Sequence, residues 1–230
     1  MIGAESGATA HAIEAEERAA LLLALRQAGV RDLSVMRAVE ATPREAFAPY
    51  RFRDLANRNL SLPLGCGQTM SRPADLARRL ETLRVGRGHR ALEVGTGSGY
   101  GAATLAQLAR EVVSLERFET LAIEAARRLA AQGVANAKAL HADGLNPSRA
   151  LGPFDRIIAH VSLDAAPSAL MAMLAPGGVL VFARREHAKK GERPRQRLIK
   201  LERVEGGEWR EADLGPCRLD AAVPGVAEAL

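Results

Sequence analysis

The sequence predicts an α/β protein with a doubly wound, mostly parallel sheet, an N-terminal helical layer and a C-terminal antiparallel hairpin. Short apolar runs alternate with helix-forming segments between about residues 76 and 182, as in parallel βαβ units. One run, Arg90–Val94, leads at once into glycines at alternate positions, Gly95, Gly97 and Gly99. The segments on either side lack this alternation, so we expect them to add smaller layers to one central sheet.

Length and composition favour a single domain covering residues 1–230. We divide it into a helical cap and substrate loop at about 10–75, an α/β core at about 76–182, and a hairpin and tail at about 183–230. A hydrophobic fraction of 47% with 26% charged residues is typical of a globular chain. Aromatic residues make up only 3%, which argues against a base-stacking platform for nucleic acid.

Charge and cysteine content indicate a cytoplasmic protein without a metal site. Lys and Arg number 32 against 27 Asp and Glu, a mild excess that favours acidic partners only weakly. Cys66 and Cys217 are too few for a disulfide framework and lack metal-ligand spacing. The first residues show no signal peptide, and no apolar run reaches the roughly 20 residues that span a bilayer.

The N-terminal third is predicted to be a small helical layer. Residues 11–28 form an amphipathic helix that ends at Gly29, residues 32–39 a second helix, and Pro43 opens a further turn. The polar loop at 62–73 then precedes a helix at 74–83. Ser71 is predicted to be the N-cap of that helix; alternatively, its hydroxyl and that of Thr69 bind a polar or anionic ligand there.

The remaining elements alternate through the core. Helices are predicted at 101–109, 119–132 and 168–174, strands at Glu111–Glu116, 137–140, 154–161 and 179–182, a turn at 176–178, an antiparallel hairpin at 195–201 and 207–214, and an irregular tail. The basic stretch 184–197 is interpreted as a flexible connection between two strands, with nucleic acid or anionic peptide binding as the alternative.

Several polar residues follow the predicted strands at their carboxyl ends. These are the glycine turn, Glu116, Asp143 and His160. In an open parallel sheet, ligands bind in the crevice outside the carboxyl ends of the strands. Glu116, about twenty residues beyond Gly95, is suited to accept hydrogen bonds from the two vicinal hydroxyls of a ribose. We therefore predict one nucleoside-binding crevice.

The acid before the glycine turn indicates which class of cofactor is bound. Glu93 creates the pattern E-x-G-x-G-x-G, which differs from the dinucleotide fingerprint. The pattern resembles that of S-adenosylmethionine-dependent methyltransferases, in which the acid helps to hold the amino-acid portion of the ligand. The resemblance implies S-adenosyl-L-methionine as cofactor and a Rossmann-like methyltransferase fold.

A closer resemblance is to the protein-L-isoaspartate O-methyltransferase family, from about Glu14 to the C-terminus. It is carried by the ordered segments LPLGCGQTMSRP, ALEVGTGSGYGAATLAQLA, VVSLER, ADG, FDRII, LAPGGVLV and VPGVAEAL. The G-x-G-Q-T-x-S loop is the most specific of them. The family's activity is methyl transfer to the carboxylate of L-isoaspartyl residues in damaged proteins or peptides.

The resemblance also implies the site residues. Ser71 corresponds to the active-site serine. The implied cofactor-binding residues are Thr69, Met70, Ser71, Arg72, Glu93, Gly95, Thr96, Gly97, Gly99, Glu116, Arg117, Asp143 and Gly144. The implied substrate-binding residues are Gln68, His160, Val161 and Ser162.

The implied chemistry places modest demands on the chain. A carboxylate acceptor is ionised near neutral pH, so it needs orientation more than a strong base. A serine without a paired base is a weak nucleophile, and we therefore assign Ser71 a positioning role. We expect isoaspartyl proteins or peptides as substrates, and a monomer with no membrane or nucleic-acid partner.

Departures from the family pattern leave alternatives open. Residues 160–164 replace a Thr-Ala-Ala-like run that borders the substrate, Cys66 stands where His or Tyr is usual, and the connection at 184–197 is longer and more basic. The alternatives are a different acceptor (a specialised peptide, a small carboxylate or RNA) or a catalytically silent cofactor-binding protein. His160 is interpreted first as a satisfied structural histidine and second as a substrate contact or weak base.

Overall fold

The computed structural model describes residues 16–186, 195–204 and 206–227. Within them, the strands are β1 (Leu62–Pro63), β2 (Thr69–Met70), β3 (Arg90–Val94), β4 (Glu111–Glu116), β5 (Ala137–His141), β6 (Phe154–Leu163), β7 (Leu174–Arg185), β8 (Gln196–Arg203) and β9 (Trp209–Pro216). The helices are α1 (16–27), α2 (Leu33–Ala41), α3 (Pro73–Leu83), α4 (Tyr100–Ala106), α5 (Glu119–Ala131) and α6 (Ser168–Met171). Short 3₁₀ turns cover Arg44–Ala46, Tyr50–Leu55 and Arg149–Leu151.

The main sheet has seven strands in the described part of the chain, in the order β5-β4-β3-β6-β7-β8-β9. Strands β5, β4, β3, β6 and β7 run parallel, whereas β8 is antiparallel to β7 and β9 to β8. The order reverses between β3 and β6, which is where an open α/β sheet binds its ligand. The predicted α/β fold with a C-terminal antiparallel hairpin is confirmed.

Apolar residues cover both faces of the sheet. On one face, Ala91 and Ile158 pack with the N-terminal layer, α3 and α4. On the other, Leu92 and Ile157 pack with the region of α6 and with residues of β7 and β8. Successive side chains of a strand point to opposite faces, so Glu93 lies on the same face as Ala91 and faces the N-terminal layer. The core therefore brings that layer against the carboxyl end of β3.

The N-terminal layer is anchored by capping. Asp32 is the N-cap of α2 and accepts hydrogen bonds from the backbone N–H groups of Ser34 at 2.7 Å and Val35 at 3.3 Å. Glu81 of α3 accepts the N–H of Asp32 at 2.7 Å. The start of α2 is thereby tied to α3. The helix predicted at 32–39 begins one residue later and ends two residues later, at Ala41. The part of the predicted first helix before residue 16 lies outside the described residues.

Two predicted boundaries are wrong. The helix predicted at 168–174 ends at Met171, and β7 begins at Leu174, before the predicted Pro-Gly-Gly turn. Leu174 pairs with Phe154, and the register with β6 shifts before Arg156 pairs with Val179. The Pro-Gly-Gly residues are thus an irregularity within β7, because β7 pairs with β6 both before and after them.

The basic stretch 184–197 is shorter as a connection than predicted. Arg184 and Arg185 belong to β7, while Gln196 and Arg197 belong to β8, so the strands extend into it from both ends. Residues 187–194, the middle of the predicted connection, lie outside the described residues.

Candidate active site

A cleft of about 640 Å³ opens at the carboxyl ends of β3, β4 and β6. Its walls come from the loop before α3, the glycine turn, residues 143–145 and the tail at 218–223. The predicted site residues that line it are Gln68, Thr69, Met70, Ser71, Arg72, Glu93, Gly95, Thr96, Gly97, Glu116, Arg117, Asp143, Gly144, His160 and Val161. Gly99 and Ser162 do not line it. The single crevice predicted from strand ends is therefore present.

The glycine turn brings backbone to the cleft. Gly95, Gly97 and Gly99 all have positive φ, and the N–H of Gly95 donates to the carbonyl of Leu115 at 2.9 Å. Gly99 is the N-cap of α4, and a Cβ there would lie 3.2 Å from the Cβ of Ala125 in α5. Gly99 therefore supports the turn by close packing on α5, where the resemblance had implied a cofactor contact.

Glu116 holds the turn at the end of β4. Its residue is 5% exposed, and its carboxylate accepts the N–H of Gly97 at 2.8 Å and that of Phe118 at 3.1 Å. A carboxylate offers about four acceptor positions, so two hydrogen bonds leave room for more. Glu116 lines the cleft, and this remaining capacity suits hydroxyl donors; its contact with a ribose stays a prediction.

Glu93 is engaged with protein side chains. Parallel register places Ser114 and Ile158 beside it, so Ser114 and His160 share its face of the sheet. Its carboxylate accepts from Ser114 Oγ at 2.5 Å and from His160 Nε2 at 3.0 Å. Glu93 is only 1% exposed. It borders the cleft as the centre of a buried network, and each of its two oxygens already accepts a hydrogen bond from the protein.

Only one of the two ring nitrogens of His160 has a hydrogen-bond partner in the described structure. A carboxylate only accepts, so Nε2 donates to Glu93 and Nδ1 is an acceptor; Nδ1 is buried and has no hydrogen-bond partner in the described structure. Burial, and to a lesser extent the nearby Arg79 guanidinium, lower the pKa of His160 below its ordinary 6.5, while the bond to Glu93 opposes this. The imidazole is therefore neutral at neutral pH.

Glycine at position 101 leaves room for the hydrogen bond between Glu93 and His160. A Cβ at Gly101 would collide with Glu93 Oε1 and lie 3.4 Å from His160 Nε2. The first turn of α4 can approach β3 this closely only with glycine at this position.

Ser71 is held by two arginines that sequence reasoning missed. Its carbonyl accepts from Arg44 Nη2 at 3.0 Å, and its Oγ accepts from Arg79 Nη2 at 3.0 Å. The N-cap of α3 is Arg72, without a side-chain cap, so the prediction that Ser71 caps this helix is wrong. Its hydroxyl accepts from Arg79 instead.

Burial lowers the pKa of both arginines to about 10. A sequence signal existed for Arg79, which lies three residues after Leu76 and four before Leu83 on the apolar face of α3. Arg44 gave no comparable signal.

The other residues of the substrate loop flank Ser71. Gln68 donates to the Cys66 carbonyl at 3.0 Å, within the turn that connects β1 to β2. Met70 is 4% exposed and paired with Leu62, while Arg72 forms an exposed ion pair with Asp75 at 2.8 Å. The loop is therefore a tight hairpin whose polar groups reach the cleft from one side.

The C-terminal tail forms another wall of the cleft. Ser162 is fully buried, and its backbone N–H donates to the carbonyl of Asp220 at 2.8 Å and its carbonyl accepts from Ala222 at 2.9 Å. Its hydroxyl donates to the carbonyl of Asp220 at 3.2 Å. Ser162, predicted to contact substrate, instead positions tail residues 218–223, which the sequence did not identify as part of the site.

The tail also ties down two predicted cofactor residues. The N–H of Gly225 donates to Asp143 Oδ2 at 3.0 Å, and Arg117 Nε donates to the Gly225 carbonyl at 3.2 Å. Asp143 Oδ1 accepts from the N–H of Leu145 at 2.9 Å. The tail thus bridges the loops after β4 and β5 at the end of the cleft away from Ser71.

The basic residues at the two ends of the stretch 184–197 form ion pairs with carboxylates. Arg184 binds Glu211 at 2.7 Å, Arg185 binds Asp164 at 2.6 Å, and Arg197 binds Asp213 at 2.9 Å. These are exposed ion pairs, each worth about 0–1 kcal/mol.

Within residues 16–186, 195–204 and 206–227, no group of three or more His, Cys, Asp or Glu side chains could hold a metal ion. No helix in the described part of the chain is long and apolar enough to cross a bilayer.

The cleft fits an adenosyl amino acid. Its volume of about 640 Å³ is within the range of about 300–1,000 Å³ typical of small-molecule sites. It combines a bare backbone turn, an acceptor carboxylate at the end of β4 and polar side chains from β6 and the loop before α3. The backbone turn allows close approach of the ligand, the carboxylate can accept from its hydroxyls, and the polar side chains can contact its charged groups.

Sequence comparisons place the chain among known proteins. A family model described as Protein-L-isoaspartate(D-aspartate) O-methyltransferase matches residues 16–219. A Rhodopseudomonas palustris protein-L-isoaspartate O-methyltransferase is 42% identical over 215 residues, 93% of this chain and 96% of that protein. An Azorhizobium caulinodans protein of the same name is 40% identical over 220 residues, 94% and 97% of the two chains.

Solved structures share the fold. A protein-L-isoaspartate O-methyltransferase superposes with a TM-score of 0.74 at 24% identity, covering 91% of this chain and 67% of that one. A Plasmodium falciparum structure described by the same activity, in complex with S-adenosyl-L-homocysteine, gives 0.73 at 21% identity, with 88% and 96% coverage. Because the family match spans most of the sequence, the chain belongs to the protein-L-isoaspartate(D-aspartate) O-methyltransferase family.

Proposed function

We propose that this protein transfers a methyl group from S-adenosyl-L-methionine to the free α-carboxylate of L-isoaspartyl residues in damaged proteins or peptides. Family membership supports this activity. The observation that carries it is the position of Ser71: its loop lies in the same cleft as the glycine turn and Glu116. An acceptor held at Ser71 is thereby brought next to a cofactor held at the turn.

Residues on the β3, β4 and β5 side would hold the cofactor. Glu116 accepts hydroxyls, the glycine turn provides backbone contact, and Asp143 with Gly144 borders the far end. S-adenosyl-L-methionine, when bound, supplies an electrophilic methyl group on a sulfonium. Glu93 adds negative charge to the floor of the cleft, although both of its oxygens already accept a hydrogen bond.

Ser71 is oriented to act as a hydrogen-bond donor. Because Arg79 donates to its Oγ, the hydroxyl proton of Ser71 is free to point into the cleft. Among the described residues its side chain hydrogen-bonds to Arg79 and to no base, so it is not activated as a nucleophile. The acceptor carboxylate, with an ordinary pKa of about 4, is already ionised at neutral pH. Orientation in a restricted cleft is the contribution the chain makes.

Substrate and setting complete the proposal. Isoaspartyl-containing proteins or peptides are the partners, and nucleic acid is not, since Arg184, Arg185 and Arg197 are paired with carboxylates. We propose a cytoplasmic monomer in which the whole chain forms a single methyltransferase domain. The free thiols of Cys66 and Cys217 support a reducing compartment.

The test compares two peptides that differ only in the linkage of one residue. Labelled methyl transfer from S-adenosyl-L-methionine is measured to an isoaspartyl peptide and to its aspartyl twin. We expect label in the isoaspartyl peptide only, and none with Gly97→Arg, whose side chain would fill the cleft. Equal labelling of the twins would refute the substrate assignment, and no labelling of either would refute the activity.

A further inference from the structure

Arg79 is a buried cation with unused hydrogen-bonding capacity at the cleft. It is 5% exposed and borders the cleft from α3. Its Nη2 donates to Ser71 Oγ at 3.0 Å, while its Nε is buried and without a partner in the described structure. A guanidinium has five N–H donors, so most of its capacity is unused here.

The two nearby carboxylates hydrogen-bond to groups other than Arg79. Asp75 forms its ion pair with Arg72, and Glu93 accepts from Ser114 and His160. Within the described residues no carboxylate forms an ion pair with Arg79. A buried charge is normally paired, because removing it from water is costly. Asp75 and Glu93 attract the Arg79 guanidinium electrostatically without hydrogen-bonding to it, so its buried Nε has no acceptor in the described structure.

Arg44 shows what a purely structural buried arginine looks like in this chain. Its Nη1 donates to the carbonyl of Ala56 at 2.6 Å, and its Nη2 donates to those of Leu60 at 2.9 Å and Ser71 at 3.0 Å. Backbone oxygens thus satisfy both ends of its fork, and only its Nε, like that of Arg79, is buried without a partner in the described structure. Arg79 has no comparable set of carbonyl partners, and its nearest hydrogen-bond partner is the hydroxyl assigned to the acceptor.

We propose that Arg79 binds the carboxylate that receives the methyl group, acting with the hydroxyl of Ser71 that it holds. This inference rests on the proposed function. The guanidinium and the Ser71 hydroxyl present donors to an anionic oxygen at one place in the cleft. A carboxylate on this site gains a charge-assisted contact that a neutral amide or ester does not.

Methylation itself removes this attraction. One carboxylate oxygen forms a bond to the methyl carbon as the methyl–sulfur bond breaks, and the electron pair of that bond stays on sulfur. A negative carboxylate and a positive sulfonium become a neutral ester and a neutral thioether, so charge is balanced. Arg79 therefore favours the substrate over the ester product and promotes product release.

The test measures binding as well as turnover in the full-length chain. Arg79→Met removes the charge, Arg79→Lys retains it without the fork, and Arg78→Met is the matched control because Arg78 is exposed on the same helix. KM and kcat are measured with an isoaspartyl peptide. Calorimetry then compares this peptide with an analogue whose free α-carboxylate is replaced by a carboxamide, on the protein saturated with S-adenosyl-L-homocysteine. It also gives the affinity for S-adenosyl-L-homocysteine alone.

We expect the unaltered chain and Arg78→Met to prefer the carboxylate peptide over the carboxamide by about 10- to 100-fold. Arg79→Met should lose this preference and raise KM by the same factor, with unchanged affinity for S-adenosyl-L-homocysteine. Arg79→Lys should retain part of the preference. If Arg79→Met does not fold, the carboxylate preference of Arg79→Lys is compared with that of the unaltered chain instead.

Two results would overturn the inference. An undiminished carboxylate preference in Arg79→Met, or in Arg79→Lys if only that variant folds, shows that Arg79 does not bind the acceptor. A loss of affinity for S-adenosyl-L-homocysteine equal to the loss for the peptide shows that the cation serves the cofactor's own carboxylate. The proposed function fails separately, if the unaltered chain does not methylate the isoaspartyl peptide.

Discussion

The Glu93 carboxylate and the His160 imidazole share a hydrogen bond of 3.0 Å at the floor of the cleft. Both side chains are nearly inaccessible, at 1% and 12% exposure, and Arg79 lies close enough to influence the histidine. The pair connects β3 to β6 across the point where strand order reverses. It therefore links the cofactor side of the cleft to the acceptor side.

The lowered pKa of His160 predicts a loss of folding stability on acidification. The folded-state pKa of His160 lies below its ordinary 6.5, mainly because of burial, so the unfolded chain binds a proton first as pH falls. Stability is complete above pH 6.5 and declines below it until the folded-state pKa is reached, by at most about 1.4 kcal/mol per pH unit. Urea unfolding across this window should show a shallower pH dependence for His160→Asn. His89, whose pKa is also lowered, contributes equally to both proteins and cancels in the difference.

Gly101→Ala should disturb the same pair by steric conflict. The new Cβ would collide with Glu93 Oε1, which cannot move without breaking its bonds to Ser114 and His160. We expect the free energy of unfolding to fall by about 1–3 kcal/mol, together with weaker binding of S-adenosyl-L-homocysteine. Gly88→Ala is the control, since a Cβ there meets nothing within 4 Å. Equal stability of the two variants would show that α4 can retreat from β3.

Glu116→Gln tests the acceptor role at the end of β4. The carboxylate accepts the N–H groups of Gly97 and Phe118, and an amide offers one acceptor oxygen where two are used. Calorimetry should show at least about tenfold weaker binding of S-adenosyl-L-homocysteine, because a charge-assisted hydrogen bond is worth about 1.5–3 kcal/mol. The control is Glu119→Gln at the start of α5. Undiminished affinity would exclude Glu116 from the nucleoside site.

Arg44→Met should weaken both the fold and the placement of Ser71. The change removes the donor of the buried Ala56 carbonyl and of the partly buried carbonyls of Leu60 and Ser71. Each unsatisfied group costs about 1–3 kcal/mol, and partial relaxation should limit the loss in unfolding free energy to about 3 kcal/mol. Urea titration measures the loss, with Arg37→Met on α2 as the exposed control. A raised KM for the isoaspartyl peptide at temperatures where the variant is folded would show that Ser71 has moved.

Much of the fold could be predicted because its signals are local. Strands Arg90–Val94 and Glu111–Glu116 are short apolar runs, and glycine at position 99 allows the positive φ of this turn before α4. The Pro-Gly-Gly segment misled the prediction of β7, because pairing with Phe154 overrode its turn preference. Local propensity predicts elements well and their ends less well.

The amino-acid sequence by itself determined the alternation of strands and helices, the glycine turn and the acids at strand ends, since backbone geometry and side-chain periodicity are local properties. Only the tertiary structure decided which polar groups meet. Ser162 contacts a tail 58 residues away, Arg44 reaches Ser71 across 27 residues, and His160 reaches Glu93 across 67. Whether such groups are satisfied or left unpaired depends on burial by distant segments. Arg79 therefore becomes an unpaired cation at the cleft only when the whole chain is folded.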